Sequence, residues 1–290
     1  MGETMSILQK DTDERWIPNV AVVLALVVAI LWMPGMGKAE PLDTPGFATI
    51  GLGWFTGRME GRMGFERQAG GLGTLNDFSA DLGLPSQNQT FGLLFSVRPL
   101  EHHLLRLYGT MPEIYKSEHR VERQVRTHNN VYEAGTEVNS ELRYATFGFG
   151  YDLDFLVGSR WFGGLHGDLR YIDFLMRIRG PGTGREDTMT LTELTPCVGA
   201  HFQTRIPVPI AQIPGLGVGG FGRITYGMTP NFLSYYDMSV GVVSSVAAFG
   251  GVWLDFKVGY QQEALAQQNI NGRDLEFRRD GVMLCIQAAY

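Results

Sequence analysis

Six histidines and the carboxylates near them are where this chain could do chemistry. His166 and Asp168 stand two apart, so on an extended strand they share one face and could serve as a base and its orienting partner. Asp187, Asp237 and His128 could meet near the ends of apolar segments, where a hydrolase working at the outer rim of a strand wall would need an Asp/His or Ser/His group. No motif fixes either set. No two histidines have helical ligand spacing, and Cys-x-x-Cys, His-Glu-x-x-His, Gly-x-Ser-x-Gly and phosphate-loop patterns are absent. The sequence therefore offers no metal site, no cofactor signature and no assignable catalytic residue. Cys197 and Cys285 read as mid-strand thiols on strands too far apart for the roughly 7 Å that a disulfide spans.

The segments that would position these groups alternate with a period of two, the signature of half-buried strands. One reads Val252, Leu254, Phe256, Val258, Tyr260 against Trp253, Asp255, Lys257, Gly259, Gln261. Another reads Phe91, Leu93, Phe95, Val97 against Gly92, Leu94, Ser96, Arg98. Ten such strands follow one another, with eight and twelve as the neighbouring even counts. The polar faces collect Arg98, Arg106, Asp152, His166, Asp168, Arg170, Glu193, His201, Arg223, Asp255 and Lys257. Both signs occur, and in a barrel of about ten strands the lumen is little wider than its side chains. These charges are expected to pair across the interior, so that Arg223→Ala would leave a desolvated carboxylate at a cost of about 3–5 kcal/mol. A narrow polar pore lined by the same residues is the sharper alternative.

Turns and loops alternate in length. Pro99–His102, Val157–Arg160 and Gly250-Gly251 are tight, whereas Gly64–Gln89, Lys116–Gly135 and Gln262–Asp280 read as long polar loops on the other side. The connector Arg205–Gly215 is long where a short turn belongs. Pro196, within an otherwise regular strand, suggests a bulge because it cannot donate to the ladder. Tyr226, Tyr236 and Tyr260 gather at one set of strand ends, and Trp161, Phe202, Phe249 and Tyr290 at the other, as aromatic girdles do at lipid–water boundaries.

The chain ends Gly-Val-Met-Leu-Cys-Ile-Gln-Ala-Ala-Tyr, with Val282, Leu284, Ile286, Ala288 and Tyr290 on one face. A terminal aromatic with apolar residues at alternate positions resembles the C-terminal assembly signal of bacterial outer-membrane β-barrel proteins. The segment LNDFSADLGL (75–84) looks like a loop of uncharacterised barrels of this size. The resemblance implies an all-β, antiparallel up-and-down transmembrane barrel over residues 40–290. It implies outer-membrane lipid and lipopolysaccharide around that barrel, and recognition of the last strand by the barrel-assembly machinery.

Composition agrees with a wall whose two faces cancel: mean hydropathy is −0.05 and charged residues make up 19%. A formal net charge of −6 points away from nucleic acid as a partner. Val20–Met33 is an apolar run of signal-peptide length, followed by small residues at Gly37 and Ala39, so residues 1–39 read as a leader cleaved before Glu40. The acidic Glu3, Asp11, Asp13 and Glu14 ahead of it are atypical of such leaders and keep a retained anchor open. Three functional classes remain: a structural, adhesive or narrow-transport barrel, a rim-active hydrolase of protease or lipid A deacylase type, and a soluble periplasmic lipocalin-like binding barrel. In the last, the apolar face would point inward.

Overall fold

The computed structural model describes residues 47–66, 72–127, 130–158, 160–210, 213, 215–231, 233–248, 250–270 and 273–290. The leader expected over 1–39, its cleavage before Glu40, His128 and Phe249 lie outside the described residues. Those described hold fifteen strands and no helix.

In chain order the strands are β1 (Ala48–Glu66), β2 (Leu72–Asp77), β3 (Gln87–Leu100), β4 (His103–Thr110) and β5 (Glu113–Arg120). Then come β6 (Val125–Arg126), β7 (Val131–Tyr132), β8 (Glu137–Gly158), β9 (Trp161–Gly180) and β10 (Arg185–Thr204). The last five are β11 (Ile206–Pro207), β12 (Gly217–Met228), β13 (Leu233–Ala247), β14 (Trp253–Ile270) and β15 (Arg273–Ala289). Ten staves close a ring: β1, β3, β4 continued by β5, β8, β9, β10, β12, β13, β14 and β15, which pairs back onto β1. β4 and β5 form one stave because both pair with β8, interrupted at Met111-Pro112 where proline cannot donate to the ladder. Every pairing is antiparallel, and the ring is sealed by reciprocal bonds between Ala48 and Tyr290 at 3.0 and 2.9 Å.

The side chains obey the period of two, but the phase changes partway up. At the end carrying Ala48 and Tyr290, the near end, outward positions are apolar and bare. Leu52, Phe91, Phe149, Leu165, Val198, Val242, Phe256 and Ile286 all stand exposed. Positions 282 to 290, the end of β15 and the residue after it, rise about 20 Å when tilted as barrel strands are, close to the apolar band such walls need. Tyr226, Tyr260, Trp161, Phe202 and Tyr290 are exposed at the margins of this belt. Beyond it, toward the far end, outward positions turn polar: Arg62 and Glu276 pair at 2.8 Å, and Arg179 with Glu186 at 2.6 Å. There the inward positions become apolar instead. Met59, Met63, Leu142, Tyr144, Ile172, Phe174, Met176, Leu265, Leu275 and Phe277 form an ordinary buried core. The membrane-type wall thus continues upward into a wall built like a soluble barrel.

Several expectations are corrected by this switch. Gln262–Asp280 is not a polar loop; β14 and β15 run through it as a paired hairpin. Lys116–Arg120 belongs to β5, and Gly64–Gln89 contains β2 and the start of β3. The segment after β2 is no solvent loop, for Phe78, Leu82 and Leu84 drop into the far-end core, with Phe78 and Phe174 ring centroids 6.4 Å apart. Pro196 forms no bulge, since β9 and β10 stay in register from end to end. Its effect falls on the other edge, where pairing to β12 ends at Cys197↔Gly227, the next residue. The connector after β10 folds back as β11 against Gly217 and Val218. Tight near-end turns include Gly250 and Gly251, both at positive φ (69° and 82°) where a side chain would be strained.

Candidate functional site

Parity along the strands delivers the charges to the lumen, and register decides which of them meet. Near the mouth, Arg98 lies 2.7 Å from Asp154 and donates to the Glu101 carbonyl at 2.8 Å. Asp154 also holds His201 Nε2 at 2.6 Å. Arg205, brought in by the connector, reaches Asp255 at 3.1 Å and lies over the Trp253 ring. Lys257 sits over the Phe221 ring, with no carboxylate within ion-pair distance among the described residues.

At mid-depth, Arg106 donates from Nε to both oxygens of Asp152 at 2.9 Å and from Nη2 to Asp168 at 2.7 Å. Tyr108 donates to the other Asp168 oxygen at 2.9 Å and accepts from Arg170 at 2.8 Å. Arg170 reaches Asp237 at 3.3 Å and Glu263 at 3.8 Å. Arg223 stands further off, 3.4 Å from Asp152 and 3.6 Å from Asp168, and its side chain is 20% exposed.

Above this layer Glu263 accepts from Tyr144 at 2.7 Å and Tyr235 at 2.6 Å and pairs with Arg279. Arg279 also pairs with Glu113, whose other oxygen accepts from Tyr115 at 2.6 Å. Carboxylates and guanidinium groups alternate from Asp152 through Arg106, Asp168, Arg170, Glu263 and Arg279 to Glu113, seven residues on six strands, and each is nearly sealed from water. A buried ion persists only when paired and hydrogen-bonded, so the network is one cooperative object.

Of the residues singled out from sequence, Arg98, Arg106, Asp152, His166, Asp168, Arg170, Asp255 and His201 are in this lumenal set. Glu193 is half-buried and accepts from Asn231 at 2.9 Å rather than facing a cation. Arg223, chosen from sequence as the ion whose loss would strand a carboxylate, is the loosest member, because Arg106 holds the same two acids more closely. His166 and Asp168 do not bond each other; His166 Nε2 is 3.0 Å from Thr225 Oγ1, and Asp168 serves the guanidinium groups. Asp187 and Asp237 do not meet. The row through Asp237 crosses β10 at Gly199, twelve residues and about 40 Å along the strand from Asp187. Asp187 is held by Asn130 and Thr127 at the far end. Both cysteines are free and buried.

Sequence reasoning missed Glu113, Asp154, Glu263 and Arg279. A signal existed: Glu263 continues the inward series of Asp255 and Gln261, and Arg279 is two residues from Gly281, which pairs with Gln261. It also missed a three-strand group. Asp152 on β8, His166 on β9 and His201 on β10 can each bring one donor atom within 4.8 Å of the others.

No protein-family model matches the chain, and no curated protein does. Among solved structures it is similar to the outer membrane protease OmpT from Escherichia coli, with 9% identity and a TM-score of 0.44 over 83% of this chain and 97% of that one. It is also similar to the translocator domain of the autotransporter NalP from Neisseria meningitidis (12%, 0.35, 94% and 97%). The Pseudomonas putida toluene transporter TodX follows (8%, 0.28, 88% and 94%). The barrel's character rests on its own wall. A closed antiparallel ring with a bare apolar belt outside and ions inside is a transmembrane β-barrel of outer-membrane type, the reverse of a lipocalin.

Proposed function

We propose that this protein is a sealed outer-membrane barrel that acts structurally or adhesively through its far-end extension, and does not conduct solutes. One observation carries the reading: the lumen is filled twice over. Paired ions occupy it at membrane depth, and above them the apolar core around Phe78, Phe174 and Phe277 closes the wall. Ten staves leave no room for an aqueous path once such side chains meet across the axis. The extension, whose outer face carries Arg62, Glu276, Arg177, Arg179 and Glu186, is the part offered to surroundings beyond the lipid. Outer-membrane lipid and lipopolysaccharide would surround the belt, and the Val282–Tyr290 face would present the strand that assembly machinery reads.

Purified protein in a planar bilayer tests the proposal. It should show no steady conductance at any holding potential that wild-type membranes bear. A stable open level with cation or anion preference would overturn it and make the ion-lined lumen a narrow pore.

A further inference from the structure

We propose that Asp152, His166 and His201 form a binding site for a zinc-class divalent metal within the lumen. Each imidazole has one ring nitrogen engaged in a hydrogen bond and the other left open, as metal-ligating histidines usually do. His201 Nε2 is 2.6 Å from Asp154 Oδ1, and His166 Nε2 is 3.0 Å from Thr225 Oγ1. Asp154 fixes the proton on His201 Nε2, and the Thr225 hydroxyl, which can accept as well as donate, accommodates the same tautomer in His166, which leaves the lone pair on Nδ1 of both rings. Both Nδ1 atoms are buried and have no hydrogen-bond partner among the described residues. A buried ring nitrogen without a partner is costly, and two on adjacent strands share a cause if one ion takes both.

The backbone is arranged for it. Asp152 and His166 are direct partners across β8 and β9, and His166 is the direct partner of Gly199 on β10. Position 199 must lack a side chain, for a Cβ there would fall 2.5 Å from His166 Nε2. That gap lets the His166 ring lie across β10, beside the His201 ring at a centroid distance of 5.9 Å. Two imidazoles and one carboxylate suit zinc and its first-row neighbours rather than calcium or magnesium. Three protein ligands leave a fourth position for water or an exogenous group. Tetrahedral donors at about 2.0–2.2 Å from a metal are about 3.4 Å apart, so a set in which one donor atom of each residue lies within 4.8 Å of the others closes on an ion by shifts of about 1 Å at most, with ring rotation choosing the nitrogen.

Asp152 is shared with Arg106 and Arg223, and a dication must compete with them. Arg223 is the one that can yield, since its contacts are 3.4 and 3.5 Å and Asp168 stands ready at 3.6 Å. This gives the site a signature that adventitious surface binding lacks: removing a nearby cation should tighten it.

The test uses full-length, tag-free protein refolded in detergent with zinc chloride, desalted and assayed for bound metal, with folding followed by heat-shift electrophoresis. About one zinc per chain is expected. His166→Ala and His201→Ala should each lose it while still migrating as folded barrels, and His103→Ala should retain it. Arg223→Ala should bind at least about tenfold tighter, which is the effect of removing one charge about 6 Å from a dication even at the dielectric of bulk water. If a histidine variant does not fold, cobalt(II) on the wild type decides: visible bands of a tetrahedral nitrogen-bearing site support the proposal, and an octahedral aqua-type spectrum overturns it. No zinc after refolding, or zinc retained equally in His166→Ala, also overturns it.

Discussion

Replacing Arg106 by Met tests the ionic lumen most directly. The guanidinium is the bridge between Asp152 and Asp168, with contacts of 2.9, 2.9 and 2.7 Å, and its side chain is 9% exposed. Met keeps most of the stem's volume, so little cavity opens and the loss is electrostatic. Two carboxylates would then share a nearly dry site where, among the described residues, the remaining cations are Arg223 at 3.4–3.6 Å and Arg170 at 3.7 Å from Asp168, with Tyr108 as a neutral donor to Asp168. Removing one partner of a buried ion pair costs about 3–5 kcal/mol, and Arg106→Met should fall in that range. Arg223→Ala should cost less, about 1–2 kcal/mol, because Arg106 still holds both acids. Arg106→Lys should be intermediate, keeping the charge and losing the fork that reaches two acids at once. Coupling to Asp168→Leu should recover part of the loss, since the second change removes a stranded charge. Urea unfolding in detergent micelles, followed by tryptophan fluorescence and by heat-shift migration, gives the differences. An Arg106→Met barrel within about 0.5 kcal/mol of wild type, or one more stable than Arg223→Ala, would refute the view that these ions hold the walls together.

The switch of polarity along one strand gives a second test: Phe256→Arg, in the belt, should cost about 2–4 kcal/mol, while Ala266→Arg on the same face above the belt should be nearly neutral. Ala266 is opposite Glu276 across β14 and β15, so the new cation stands in water beside an acid already paired with Arg62; equal damage at the two sites, read in the same urea series, would misplace the lipid boundary. A third concerns acid. Burial pushes the Asp81 carboxyl up, but hydrogen bonds from Arg123 and from the Asp77 N–H outweigh it and hold the group below its ordinary range. The folded value being depressed, this anchor is complete at neutral pH and fades as pH falls below about 4, toward the folded value. Hydrogen exchange or limited proteolysis of residues 78–85 should show protection lost on acidification and a weaker dependence in Arg123→Ala, where the Asp77 N–H remains; protection that rises on acidification would contradict the linkage.

Alternation made the staves legible in sequence, and the near-end turns fixed their order. The outer halves of the strands were hidden for a definite physical reason. Lipid and water demand opposite faces, so the apolar phase of β15 moves from Leu275 and Phe277 to Val282, Leu284 and Ile286 within one continuous strand. A reader following one phase meets an apparent polar loop at the change. Glu263 and Arg279 vanished into that loop, and with them the upper half of the ion network. At the site, parity could place Asp152, His166 and His201 on the inward side. Their convergence depends on the register of three strands and on the space left at Gly199, neither of which a spacing rule carries. Arg205 was hidden in a connector whose proline content reads only as extended chain.

The seam between β1 and β15 has a consequence in time. Thr49 pairs with Ala289, so the contact that closes the ring joins residues separated by almost the whole described chain. Until the final strand exists, β1 and β14 each present a raw edge, a template for pairing with the wrong neighbour. Loop closure over such a span is entropically slow, and folding rates fall as contacts become less local. A ribosome can finish nine staves and still have made nothing that is a barrel. Whatever escorts this chain must therefore shield two edges at once until Tyr290 arrives, and that interval, rather than the finished wall, is when the protein is most exposed to aggregation.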